Sequence, residues 1–259
     1  MLEAIFTLAG LGLVFGGLLA FAARKLAVDT DPRIEEVRVC LPGANCGACG
    51  YGGCAQFAEA VAQGEAPLSA CIPGGCEVSD QLADILGQAR TEQGERKVAS
   101  LRCLGDINNT RTKFDYDGVQ DCKAAMLFDG GAKSCPFACL GLGTCVRSCP
   151  FDAISMSKNG LPVIDMEECT GCGRCEKDCP KDVIVLASAK STPLVKCKST
   201  EKGKQVKAKC DIGCIGCGIC VKNCPEDAIT MNDCLAAIDV DKCSNCRICV
   251  EKCPQDCIT

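Results

Sequence analysis

Histidine and tryptophan are absent from this 259-residue chain, and tyrosine occurs only twice. Without histidine there is no Ser-His-Asp or Cys-His arrangement, no mixed Cys/His zinc finger, no His-ligated haem and no Rieske centre. Aromatic residues make up 4% of the chain, too few for a large conventional core. A formal net charge of −5 speaks against nucleic acid as a partner. What the chain has in excess is cysteine. It carries 28, above the roughly 8–10% that marks a cross-linked class. Composition leaves two candidates for the cross-link, disulfides and metal.

Long apolar runs are scarce too, with one exception. Residues 4–23 read AIFTLAGLGLVFGGLLAFAA, with no ionisable side chain. At 1.5 Å per residue, this stretch matches the roughly 30 Å of a bilayer core. Arg24 and Lys25 follow it, while the short N-terminus carries only Glu3. The positive-inside rule therefore predicts a single-pass anchor in the cell membrane, with everything after Lys25 on the cytoplasmic side. A cleaved signal peptide is the alternative, since Ala20-Phe21-Ala22 resembles a cleavage site; the uncharged start and long apolar run argue against it. Cytoplasm is reducing, so cysteines there read as metal ligands.

Spacing sharpens that reading. Cys169, Cys172, Cys175, Cys179 and Pro180 form a C-x2-C-x2-C-x3-C-P run. Cys214, Cys217, Cys220, Cys224 and Pro225 form a second, and Cys243, Cys246, Cys249, Cys253 and Pro254 a third. This is the signature of bacterial two-cluster [4Fe–4S] ferredoxins, in which the fourth cysteine ligates the other cluster. Zinc would normally show two separated CxxC pairs.

A fourth run is degenerate. Cys139, Cys145 and Cys149 align with Cys214, Cys220 and Cys224, and Leu142 stands where Cys217 stands. Upstream, Cys122-x12-Cys135 repeats as Cys197-x12-Cys210. Residues 122–190 and 197–259 are thus an internal repeat of ferredoxin-like units. Between the motifs lie short strand signals, AISM and PVID in one copy, AITM and AAID in the other. The expected ligand sets are Cys149 with Cys169, Cys172 and Cys175; Cys214, Cys217 and Cys220 with Cys253; and Cys224 with Cys243, Cys246 and Cys249. The degenerate set has Cys139, Cys145 and Cys179 and lacks one ligand. Cys135 is the expected fourth, against a three-iron cluster or no cluster at that place.

The N-terminal region has its own spacing, Cys46-x2-Cys49-x4-Cys54-x16-Cys71, enough for one [4Fe–4S] cluster or a small zinc module. Helices are expected over 54–63 and 79–89. Nine cysteines stand outside the motifs: 40, 76, 103, 122, 135, 197, 210, 234 and 257. An extra cluster using Cys103 and Cys122 is conceivable, while Cys40, Cys234 and Cys257 read as buried thiols. Five clusters are expected, with six or seven open, seven being the limit for 28 cysteines in fours. The lysine run Lys196, Lys198, Lys202, Lys204, Lys207 and Lys209 reads as a solvated loop, or else as a patch for an acidic ferredoxin. No catalytic residue and no dinucleotide fingerprint is present.

The expected fold is α+β: one N-terminal transmembrane helix, a small four-cysteine Fe–S domain and tandem bacterial-type 2[4Fe–4S] ferredoxin-like units. The expected boundaries are 1–25, 26–100, 101–190 and 191–259. The order of helix, PGANCGACGYGGC…CIPGG segment and tandem motifs closely resembles the B subunit of the Rnf complex, an ion-translocating ferredoxin:NAD oxidoreductase. The resemblance implies an electron-transfer subunit that takes electrons from reduced ferredoxin. It would pass them to membrane subunits that couple electron flow to Na⁺ or H⁺ translocation and NAD reduction. It also implies contact with lipid and with the other Rnf subunits. The alternatives are a stand-alone membrane polyferredoxin and a subunit of another oxidoreductase. Shorter members of the family carry one ferredoxin unit where this chain has two.

Overall fold

The computed structural model describes residues 2–26, 31–90, 94–190 and 193–259. Helix α1 (Leu2–Lys25) carries the apolar run. Its described side chains are almost all exposed, among them Phe6, Leu8, Leu13 and Leu19. A stretch of that length and composition, uncovered by the rest of the chain, is able to cross a membrane.

The next segment packs three helices, α2 (Pro32–Cys40), α3 (Cys54–Ala62) and α4 (Gly75–Leu86), around Val37, Phe57, Val61 and Leu82. Asp31 caps α2, accepting the Arg33 amide at 3.0 Å. The helix expected over 79–89 starts earlier, at Gly75, and stops where Gly87 turns left-handed at φ 64°.

Strand β1 (Lys97–Leu101) straddles the expected boundary at residue 100. The first ferredoxin unit then adds α5 (Cys122–Met126), α6 (Thr144–Ser148), β2 (Ile154–Met156), β3 (Pro162–Ile164), α7 (Arg174–Asp178) and β4 (Ile184–Ser188). β1 pairs antiparallel with β4, Lys97 opposite Ser188 and Leu101 opposite Ile184. So residues 97–100 join the ferredoxin unit by backbone hydrogen bonding. The expected boundary between 190 and 191 falls against residues 191–192, outside the described ones.

The second unit adds α8 (Gly203–Lys209), α9 (Ile219–Lys222), β5 (Ile229–Asn232), β6 (Leu235–Ile238) and α10 (Ile248–Glu251). The two expected hairpins form, β2 with β3 and β5 with β6. Among the described residues every sheet has two strands. Such small sheets are marginal alone. Each packs instead against cysteines: Cys169 and Cys175 in the first unit, Cys214, Cys220 and Cys249 in the second.

Candidate iron–sulfur centres

Four short helices each carry the third cysteine of a motif, and one local geometry recurs. α6, α7 and α9 start from Gly143, Gly173 and Gly218, all left-handed at φ 69–75°. α10 starts from Arg247, in the same region at φ 61°. At the three glycines the turn brings cysteines on either side to one cavity. At Gly171 the requirement is also steric, because a Cβ there would collide with the Lys97 carbonyl oxygen of β1. After each fourth cysteine the chain reads C-P-x-D. All four aspartates, Asp152, Asp182, Asp227 and Asp256, are left-handed at φ 47–52°. Short polar side chains tolerate that conformation best after glycine.

All 28 cysteines are free thiols. Cys149, Cys169, Cys172 and Cys175 line one cavity, and Cys214, Cys217, Cys220 and Cys253 line another, joined there by Cys257. Cys249 lies within electrostatic reach of Cys243, Cys246 and Cys224. Cys71 stands in the same relation to Cys54, Cys46 and Cys49. The N-terminal loop is held by the Asn45 side chain, whose Oδ1 accepts the Cys54 amide at 2.8 Å.

The degenerate motif departs from expectation. Its cavity is lined by Cys139, Cys145, Cys179 and Cys122, not Cys135. Cys122 heads α5, whose Asp121 cap accepts the amides of Lys123 and Ala124 and the Thr144 hydroxyl. The Thr144 Oγ1 in turn accepts the Cys122 amide at 2.7 Å. This network ties α5 to α6 and delivers Cys122 to the gap left by Leu142. Cys135 instead lines a separate cavity with Cys103, Cys197 and Cys210. Cys103, Cys122, Cys197 and Cys210 are therefore functional candidates that motif spacing did not place. The doubled C-x12-C interval was the signal for three of them.

The donor set suits iron–sulfur clusters. It is all thiol, and soft thiolates select such clusters. Among the described residues no three cysteine or acidic side chains close on a point that suits a single ion. Amide hydrogens point at the sulfurs: Ala99 N–H to Cys169 Sγ at 3.4 Å, Cys139 N–H to Cys103 Sγ at 3.4 Å and Ser199 N–H to Cys197 Sγ at 3.5 Å. Donors of this kind stabilise thiolate charge. Burial pushes the thiols the other way, Cys139 and Cys175 up to about 12, and Cys135, Cys145 and Cys220 up to about 11. Metal loading must displace those protons, which makes it favoured by rising pH.

Neighbouring sets lie near one another. Cys46 is within electrostatic reach of Cys172, Cys145 of Cys175, Cys103 of Cys139 and Cys214 of Cys197. Rows of thiol-lined cavities on ferredoxin hairpins define an iron–sulfur electron-transfer protein.

Family comparisons agree. A family model described as "Putative Fe-S cluster" matches residues 41–73. Two models described as "4Fe-4S dicluster domain" match 132–183 and 168–229, and a "4Fe-4S binding domain" matches 236–259. The B subunit of the ion-translocating oxidoreductase complex of Methanosarcina acetivorans is 44% identical over 94% of this chain and 92% of its own length. The B subunit of the proton-translocating ferredoxin:NAD(+) oxidoreductase complex of Clostridium ljungdahlii is 44% identical over 90% of this chain and 82% of its own. The Na(+)-translocating counterpart from Acetobacterium woodii is 43% identical over 94% and 74%. The chain belongs to the family of B subunits of Rnf-type ion-translocating oxidoreductase complexes, and is an Fe–S electron-transfer subunit associated with the membrane.

Proposed function

We infer that the chain carries six [4Fe–4S] clusters in a single row and conducts electrons from reduced soluble ferredoxin toward the membrane subunits of its complex. The ligand sets in row order are Cys46, Cys49, Cys54 and Cys71; then Cys149, Cys169, Cys172 and Cys175; then Cys122, Cys139, Cys145 and Cys179. The junction set Cys103, Cys135, Cys197 and Cys210 follows, then Cys214, Cys217, Cys220 and Cys253, and last Cys224, Cys243, Cys246 and Cys249. The six sets use 24 of the 28 cysteines and leave Cys40, Cys76, Cys234 and Cys257. The clusters supply one-electron chemistry, and no bond in a substrate is made or broken here.

One observation supports the direction. Cys217 and Cys246, in the last two sets, are exposed, whereas the first set follows the apolar helix in the chain. Exposed thiols at one end suit entry from a soluble donor. The other end suits exit to subunits in the bilayer. Arg24 and Lys25 at the end of α1 favour the cytoplasmic face for the row, with the helix side chains against lipid in a single pass. Residues 4–23 hold no ionisable group, so the ion path lies in other subunits. Relatives of almost equal similarity being named for protons and for sodium fits that division. The domain division follows the expected one, with 97–100 moved into the first ferredoxin unit.

The test is anaerobic stopped-flow mixing of the detergent-solubilised full chain with chemically reduced bacterial ferredoxin, read as loss of the broad visible absorbance of the clusters. The native chain should bleach rapidly. A Cys246→Ala chain should accept electrons slowly, whereas Cys71→Ala should accept them at the native rate. Equal entry rates in the native and Cys246→Ala chains would overturn the proposed direction.

A further inference from the structure

The junction cavity differs in charge from the three other cavities lined by a set of cysteines. Arg102, Lys196 and Lys198 line it, and no acidic side chain does. The cavity of Cys214, Cys217, Cys220 and Cys253 has no charged residue in its lining. Those of Cys139 and Cys175 have one basic residue each, Lys181 and Arg174. In a chain of net charge −5, this concentration of cations at the centre of the row is local and specific.

Lys133 adds a fourth cation from within. It is 9% exposed, and its Nζ donates to the Gly105 carbonyl at 2.6 Å. Gly105 lies against two of the junction sulfurs: a Cβ there would stand 3.4 Å from Cys210 Sγ and 3.6 Å from Cys103 Sγ. The ammonium therefore sits one residue away from the site, out of water. Its charge also opposes the burial that pushes the thiols of Cys103 and Cys139 up. Arg102 donates to the carbonyls of Val195 and Cys197 at 3.4 and 3.3 Å, and Lys196 to Ser100 Oγ at 2.7 Å. By chain order Lys196 and Lys198 read as part of a solvated loop; the fold turns both toward the junction.

Acidic groups offset part of this: Asp106, at 8% exposed, is as buried as Lys133, and Glu201 is paired with Lys209. Asp106, beside Gly105, is directed to the amides of Asn108 and Asn109 at 2.9 Å each. Asp182 meets Lys198 at 3.5 Å but its side chain is 79% exposed, so the pair is solvent-screened.

A cluster gains one negative charge on reduction, and low-dielectric surroundings magnify the effect of a nearby fixed cation. We propose that the buried ammonium of Lys133, with Arg102, Lys196 and Lys198, makes the junction cluster the most easily reduced of the six, so that it stores an electron between the two ferredoxin units. One electron passes from a reduced neighbour, which returns to its oxidised state. No proton moves, and reduced ferredoxin supplies the electron. Lys133 acts through the field at the cluster and not as a ligand.

This inference rests on the six-cluster reading, and iron content tests that reading separately. The native chain should hold about 24 irons and Cys197→Ala about 20, at four per cluster. An unchanged iron count in Cys197→Ala would defeat the ligand assignment alone. The inference itself is read by anaerobic redox titration of the solubilised full chain, followed by electron paramagnetic resonance. The first component to be reduced should vanish in Cys197→Ala. In Lys133→Met its midpoint should move to lower potential, by more than that of the Cys139 cluster that Lys133 also faces, while the other four stay, and Lys133→Arg should restore it. If Lys133→Met fails to load iron, Lys196→Met provides the same readout from the cavity wall. The proposal is overturned if the first-reduced component survives Cys197→Ala once iron has been lost, or if the loaded lysine variant leaves the midpoint unmoved.

Discussion

The two ferredoxin units carry cysteines in the same order and use them differently. The second unit fills its first motif from within, Cys214, Cys217 and Cys220 sharing a cavity with Cys253. The first unit has Leu142 at the position of Cys217 and fills the gap with Cys122 from α5. Cys122's counterpart, Cys197, is not needed in that way. It meets Cys210, Cys135 and Cys103 at the seam between the units. A single Cys-to-Leu difference between copies thus accompanies a different use of the upstream pair. Which thiols share a cavity in such a repeat is a property of the pair of units, because the seam brings Cys103 and Cys135 of one to Cys197 and Cys210 of the other.

Double variants probe this asymmetry hardest. Cys122→Ala with Cys197→Ala should remove two clusters, about eight irons. Cys135→Ala with Cys197→Ala should remove only one, about four irons, because both serve the junction. Iron and sulfide analysis of the purified chains decides it, and equal losses from the two pairs would contradict the asymmetric assignment.

A restored motif gives the next effect. Leu142→Cys introduced into Cys122→Ala should return the missing cluster, about four irons, and the visible spectrum should recover with it. Persistent loss would mean that the cavity needs Cys122 for more than its sulfur.

Backbone changes come next in size. Gly171→Ala puts a Cβ against the Lys97 carbonyl in a left-handed conformation, and should destabilise the chain by at least about 2 kcal/mol. At the matching place in the last motif, Asn245 is left-handed without glycine. Arg247→Gly should relieve strain at the start of α10 and stabilise by about 1 kcal/mol. Thermal melts of anaerobic holoprotein read both. Smallest of all, Cys76→Ser at an exposed thiol outside every set should leave iron content and melting unchanged.

Much of the molecule was legible in the chain. The hairpins at 154–164 and 229–238 appear where short β-rich stretches stand between motifs, because their period-2 pattern needs only local pairing. The helix at 54–62 and the three complete motifs were equally local. The pairing of β1 with β4 was not, since partners as far apart in the chain as Ala99 and Leu186 leave no periodic trace. Cys135 lines the junction cavity and not the degenerate one for a related reason. It is near Cys139 in the chain, yet α5 and its Asp121–Thr144 network carry the more distant Cys122 to the cavity.

Residue type and order were enough for the chemistry: no histidine, cysteine in ferredoxin spacing, and an apolar helix ahead of it. Three- and four-residue intervals specify short-range geometry, so those features need no knowledge of the fold. Folding decided which thiols share a cavity, that neighbouring sets come within reach of one another, and that four cations gather at the junction. Each of these depends on distances between segments far apart in the chain, where only tertiary packing brings sulfur to sulfur and charge to sulfur.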